Sequence, residues 1–274
     1  MNIMTRTDLT NHSTLFATRQ RLVLATLVAA TLILPASAAD RVAARPSNTK
    51  AGVLRDALRV AEQSRVALQS VKDYSATFSK REVIGKKMIT QRMQIKMRQK
   101  PFSVYLKFAK PHSGREVIYV DGQNDGRLIA HGTGIQKLLG TLKLKPTSKM
   151  VMKENRYPIT EIGITKMLDT VINRWEQQAD NTRVRYFPKA KLGKRSVRVI
   201  QAIHPKKAGD SPFHMTRLFI DNQTNLPVRL QQYGFPRKSK GKPPLLEEYT
   251  YSDLKTNLGL DSEDFDRTNP DYDF

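Results

Sequence analysis

The sequence predicts a single α+β domain: one open, strongly curved antiparallel β-sheet, an incomplete barrel, with helices covering its concave face. Two observations carry this expectation. From Tyr74 onward the apolar residues recur every second position through a succession of short segments separated by turn residues, and the helical period appears only twice, over residues 51–71 and again after Thr160. Strands that follow one another through tight turns make antiparallel hairpins, whereas a parallel sheet would need a helix between every pair. A long sheet of this kind curls because its strands twist in one hand, and if it stops short of closure it leaves an apolar gutter for the helices to cover.

The elements follow in order. Leu54, Ala57, Leu58, Ala61, Leu68 and Val71 lie on one stripe with Arg55, Glu62 and Arg65 elsewhere, which predicts an amphipathic helix. Tyr74, Ala76 and Phe78 then alternate with Ser75, Thr77 and Ser79, Gly85-Lys86-Lys87 turns the chain, and Ile89, Met93, Ile95 and Met97 alternate with polar neighbours. After Pro101 the face continues in Phe102, Val104, Leu106 and Phe108, and Glu116–Val120 leads through a turn-rich hexapeptide into Arg127–His131. Residues 143–153 read as a strand pair. Ile164, Met167, Leu168, Val171, Ile172 and Trp175 mark the second helix, inserted between strands. Strands resume near Arg183–Tyr186, Ser196–Ile203, Met215–Asp221, Val228–Tyr233 and Leu246–Leu254, with a basic loop over Arg237–Pro244. The tail, with Asp261, Glu263, Asp264, Asp266, Asp271 and Asp273, is an acidic block on a basic protein and can fold back onto a basic patch.

The N-terminus reads as an export signal. Arg19 and Arg21 precede an uncharged apolar run, Leu22–Leu34, followed by Pro35 and the small residues Ala36-Ser37-Ala38. The run has thirteen residues, against about 20 needed to cross a bilayer, so the expectation is a signal peptide over 1–38 cleaved after Ala38. A flexible tether over 39–50 and one domain over 51–274 follow, in a periplasmic or secreted protein; an uncleaved N-terminal anchor is the alternative. The full chain of 274 residues has a net charge of +22. Residues 1–38 carry +2 of it, which leaves +20 on the exported part. Such a charge draws the protein toward polyanions, and in the envelope these are anionic membrane surfaces and acidic wall polymers rather than nucleic acid. A merely solvated surface would carry the same charges.

Several function classes find no support. The absence of cysteine excludes disulfides and thiolate metal sites, and no cofactor or metal is expected. His112, His131, His204 and His214 lack ligand spacing, no serine sits in a Gly-x-Ser-x-Gly elbow, and Glu247 and Glu248 point to opposite faces of one strand. The turn Asp121-Gly122-Gln123-Asn124-Asp125-Gly126 starts like a calcium loop, but Gly132 stands where the bidentate glutamate is required. A non-enzymatic, monomeric binding protein is therefore expected.

Val71-Lys72-Asp73-Tyr74-Ser75-Ala76-Thr77-Phe78-Ser79-Lys80 after a helix, Lys100-Pro101-Phe102, Val120-Asp121-Gly122, and the closing Asn257-Leu258-Gly259-Leu260 with Asp264-Phe265-Asp266 resemble the periplasmic outer-membrane lipoprotein carrier proteins. Arg156-Tyr157-Pro158-Ile159-Thr160 and the ending Asn269-Pro270-Asp271-Tyr272-Asp273-Phe274 resemble an exported bacterial family of unknown function. The resemblance implies a helical lid over an apolar cavity that receives acyl chains of a lipid or an acylated protein. It also marks Lys100, which stands where the carriers place an arginine before the proline. The candidate ligand-binding residues are thus Phe78, Met93, Ile95, Met97, Lys100, Val104, Leu106 and Phe108, although the apolar ones would equally serve to fill a core beneath the helices. On the opposite strand faces, Arg92, Lys96, Arg98 and Lys107 form a candidate surface for anionic membranes or polymers. The competing reading is an interaction or sensor domain that docks a protein or an acidic envelope polymer through this basic surface.

Overall fold

The computed structural model describes residues 50–134, 140–177, 182–205, 212–238 and 241–274. The expected signal peptide and all of the expected tether except Lys50 lie outside the described residues. Helix α1 (Lys50–Gln69) is followed by strands β1 (Asp73–Ile84), β2 (Lys87–Arg98), β3 (Ser103–Lys110), β4 (Glu116–Val120), β5 (Leu128–His131) and β6 (Thr141–Leu144). A short helix α2 (Lys149–Met152) and the longer α3 (Ile164–Gln177) precede β7 (Arg183–Leu192), β8 (Arg195–Ile203), β9 (Phe213–Asp221), β10 (Pro227–Gly234) and β11 (Leu245–Thr256).

All eleven strands form one antiparallel sheet in the order β6-β5-β4-β3-β2-β1-β11-β10-β9-β8-β7. The two halves meet where the first strand pairs the last, Phe78 opposite Tyr251 and Lys80 opposite Tyr249. Strands β6 and β7 are the two edges and do not pair, so the curved sheet stays open. This topology dictates the lid. The chain between β6 and β7 must travel from one edge of the sheet to the other, and it does so across the concave face, carrying α2 and α3 with it.

The main core lies between that face and the helices. Leu54, Ala57, Ala61 and Leu68 of α1 and Ile164, Leu168, Val171, Ile172 and Trp175 of α3 pack with the inward residues of nine strands in one cluster. Alternation decides which strand residues join it: Tyr74, Ala76 and Phe78 on β1 and Met93, Ile95 and Met97 on β2 are buried inward.

One element departs from expectation. Residues 143–153 are not a strand pair: β6 ends at Leu144 and α2 begins at Lys149. Pro146 cannot donate to a sheet ladder, and Ser148 accepts the Val151 N–H as a helix cap.

The tail folds back as its charge suggested, onto the outer face of β2–β4. Phe265, Tyr272 and Phe274 pack with Tyr105, Ile118 and Val120, the Tyr105 and Tyr272 rings stacking at 4.0 Å. Lys96 pairs with Asp264 at 2.7 Å, Lys107 with Glu116 at 2.9 Å and Asp273 at 3.0 Å, and the Arg98 guanidinium lies over the Phe265 ring. Of the four candidate surface residues only Arg92 is exposed. Lys96, Arg98 and Lys107 hold the protein's own C-terminus.

Candidate functional site

Between the sheet and the lid lies a cavity of about 640 Å³, within the range of small-molecule sites. Its sheet wall is apolar over most of its extent, with Phe78, Met93, Leu106, Phe108, Val117 and Leu128, and the lid contributes Val151, Ile159, Ile162 and Met167. Of the eight sequence-predicted ligand residues, Phe78, Met93, Leu106 and Phe108 line it. Ile95, Met97 and Val104 share the inward face but are spent in the core. Gly163, at φ +116°, has no Cβ and so leaves room for the Met97 thioether. Lys100 is exposed in the turn between β2 and β3 and does not line the cavity.

Sequence reasoning missed the polar end of this cavity. Beyond Phe78 the same alternation points Lys80 and Glu82 inward, and on β11 it points Glu247 and Tyr249 inward. Glu82 stands directly opposite Glu247, so two carboxylates face each other with 2 % and 1 % exposure. Like charges opposed across a ladder repel, and they are tolerated because the lid supplies partners. Segment 154–157 descends onto them. The Arg156 N–H donates to Glu82 Oε2 at 3.0 Å, the Arg156 Nε pairs with Glu247 Oε2 at 2.9 Å, and the Tyr157 hydroxyl donates to the same oxygen at 3.0 Å. Lys80 donates to Glu82 at 3.1 Å and to Asn155 Oδ1. From the sheet, Gln232 donates to Glu247 at 2.6 Å and Tyr249 to Glu82 at 2.7 Å. The buried charges are therefore also the attachment that holds the lid against the sheet.

Burial sets the protonation chemistry. Desolvation pushes Glu247 up to about 7, with Glu82 adding to the rise and Arg156, Tyr157 and Arg174 opposing it. Burial lowers Lys80, and Glu82 and Glu154 partly restore it. A carboxyl group raised in the fold stays protonated in the native state after the unfolded chain has ionised, so its contribution to stability is full below about pH 4.5 and is lost as pH rises through about 7. His204, held down to about 4 chiefly by burial, acts in the opposite sense: its contribution is full above about pH 6.5 and is lost as pH falls through about 4. The two windows overlap. The test is accordingly a difference: between about pH 5 and 8, wild type should lose about 2 kcal/mol relative to Glu247→Gln in urea unfolding, and parallel curves would refute the assignment.

Among the described residues no group of three or more His, Asp or Glu is placed to hold a metal ion, and no described helix is long and apolar enough to cross a membrane.

The model of a family described as "Protein of unknown function (DUF1571)" matches residues 71–274. The chain belongs to the DUF1571 family. The match takes in the whole sheet, the lid and the tail. No curated protein matches the sequence. Among solved structures, the DUF1571 protein is similar to the Mycobacterium tuberculosis lipoprotein LppX at 12% identity, covering 76% of this chain and 99% of that one with a TM-score of 0.43. A DUF1329 family protein from Desulfovibrio piger matches at 11% identity over 78% of this chain and 98% of its own, with a TM-score of 0.38. A putative outer membrane lipoprotein-sorting protein domain from Vibrio parahaemolyticus matches at 12% identity over 78% and 97%, with a TM-score of 0.36.

Proposed function

We propose that this DUF1571 protein is an exported, non-enzymatic binder of an amphiphile, a lipid or an acylated protein, whose hydrocarbon lies in the cavity under the lid. The observation that carries the reading is the cavity itself: about 640 Å³ of space with an apolar sheet wall and a buried polar end. A folded chain fills its interior to crystal-like density wherever it can, and an apolar hollow of this size gives hydrocarbon a place out of water. Met93 and Met167 line it from opposite sides, and flexible thioethers repack around guests of differing shape. The polar end at Lys80, Glu82, Glu247 and Tyr249 suits the head of an amphiphile better than a wholly apolar guest. The candidate sites on Phe78, Met93, Leu106 and Phe108 are kept in this reading, and Lys100 is left without a contact to the ligand.

The test is direct. Protein purified from the envelope fraction of its host is extracted into organic solvent and the extract weighed by mass spectrometry. Ala130, a small residue of the cavity wall, is replaced by Trp to fill the space. Wild type should release a stoichiometric amphiphile, and Ala130→Trp should retain at most about a tenth of it while its unfolding free energy changes by no more than about 1 kcal/mol, since the added ring enters empty space. Repeated preparations that release nothing, from a protein that also fails to bind a fluorescent fatty acid, would end this reading.

A further inference from the structure

The geometry points to a docking face for an anionic lipid bilayer on the rim of the cavity, formed by β6, α2 and the chain that joins them. This rests on the cavity reading above but concerns a different contact. Residues 140–153 contain four lysines and no acidic residue. Lys143, Lys145, Lys149 and Lys153 are all exposed, and none forms a salt bridge with a described residue. In their midst Met150 is 64 % exposed and at the same time lines the cavity. Val66 on α1 is about as exposed, and a single apolar side chain in water is ordinary; what sets Met150 apart is that it joins the cavity lining and so makes a contiguous apolar edge rather than an isolated one.

Charge alone would describe a solvated edge. A thioether flanked by lysines describes an interfacial contact, in which the apolar group enters the headgroup layer and the ammonium groups meet lipid phosphates. The location adds a reason. Leu142, Leu144 and Val151 of the same segment line the cavity and are only partly covered, so a bilayer seated here would adjoin the greasy space directly. In place of Lys96, Arg98 and Lys107, which hold the tail, the docking face takes the cations of the cavity mouth; β7 also shows exposed cations beside Tyr186 and Phe187, each 44 % exposed, but these do not line the cavity. An acidic wall polymer would meet the lysines but would gain nothing from Met150.

The experiment is co-sedimentation with vesicles of phosphatidylcholine alone and of phosphatidylcholine mixed with phosphatidylglycerol, using protein from the envelope fraction. Wild type should partition onto the mixed vesicles and not the neutral ones, and added salt should weaken the binding. Lys149→Glu with Lys153→Glu should reduce partitioning at least about tenfold. Met150→Ser, which leaves the charge intact, should reduce it about threefold or more. Lys189→Glu with Lys191→Glu, an equal change of charge on exposed residues of β7, should change it less than about twofold. Equal losses in the β7 and rim variants, or Met150→Ser binding like wild type, would overturn the proposal. A rim-dependent partitioning in protein that releases no amphiphile and also fails to bind a fluorescent fatty acid would uphold the docking face while removing the cavity reading, so the two failures are distinguishable.

Discussion

Replacing Lys80 with Met should destabilise the protein by about 3–5 kcal/mol, and adding Glu82→Gln to the same chain should return part of that loss. The Lys80 and Glu82 side chains are 8% and 3% exposed, and their pair sits among Glu247, Tyr249 and Asn155 rather than in water. Removing the cation leaves Glu82 facing Glu247 and Asn155 Oδ1 without its donor. An uncompensated buried charge is what makes such a truncation costly, more than any intrinsic worth of the pair. In the double variant the neutral amide that replaces the Glu82 carboxylate still offers an oxygen to the Tyr249 hydroxyl or the Arg156 N–H, and the repulsion toward Glu247 is gone. The double variant should thus be more stable than Lys80→Met alone by at least about 1 kcal/mol. Urea unfolding of both variants and wild type decides it. A Lys80→Met loss under about 1 kcal/mol, the range of a solvated ion pair, would show that the cluster is hydrated and does not hold the lid.

That cluster also shows where a sequence is legible and where it is not. Period-two alternation located Phe78, Met93, Leu106 and Phe108 on the cavity wall because a strand has only two faces. Alternation cannot say how far along the inward face the helices reach, and this is why Ile95, Met97 and Val104, equally inward, lie in the core while their neighbours line the cavity. A signal for Lys80 and Glu82 was present: they continue the Tyr74, Ala76, Phe78 face without a break, and a charged residue at an inward position needs a partner. The partners were not readable. Arg156 and Tyr157 belong to a non-periodic loop, so nothing local places them over Glu247. Glu247 and Glu248 do point to opposite faces, as their adjacency requires, yet the carboxylate that Glu247 meets is Glu82, 165 residues earlier. The strand order itself follows from hairpin succession except at the one join that matters, β1 with β11, which no turn dictates.

Trp175→Ala should cost about 3–5 kcal/mol, whereas Trp175→Phe should cost about 1–2 kcal/mol. Trp175 is the sole tryptophan, fully buried on α3 within the main core. Truncation to Ala removes the largest side chain between the lid helix and the sheet and leaves a void that rigid neighbours close only in part. Phenylalanine keeps most of the apolar contact. It also loses no hydrogen bond, because the indole N–H of Trp175 has no partner among the described residues, and discarding an unsatisfied buried donor offsets part of the lost packing. The comparison therefore separates packing from polarity at one position. Urea unfolding followed by circular dichroism measures both variants, since the tryptophan signal is gone in each. If Trp175→Phe cost as much as Trp175→Ala, the indole N–H would have to be making a bond that this packing denies it, and α3 would sit differently on the sheet. If neither cost more than about 1 kcal/mol, α3 would not be anchored through this residue, and a lid held only by the Arg156 and Tyr157 contacts would open far more readily than one packed into the core.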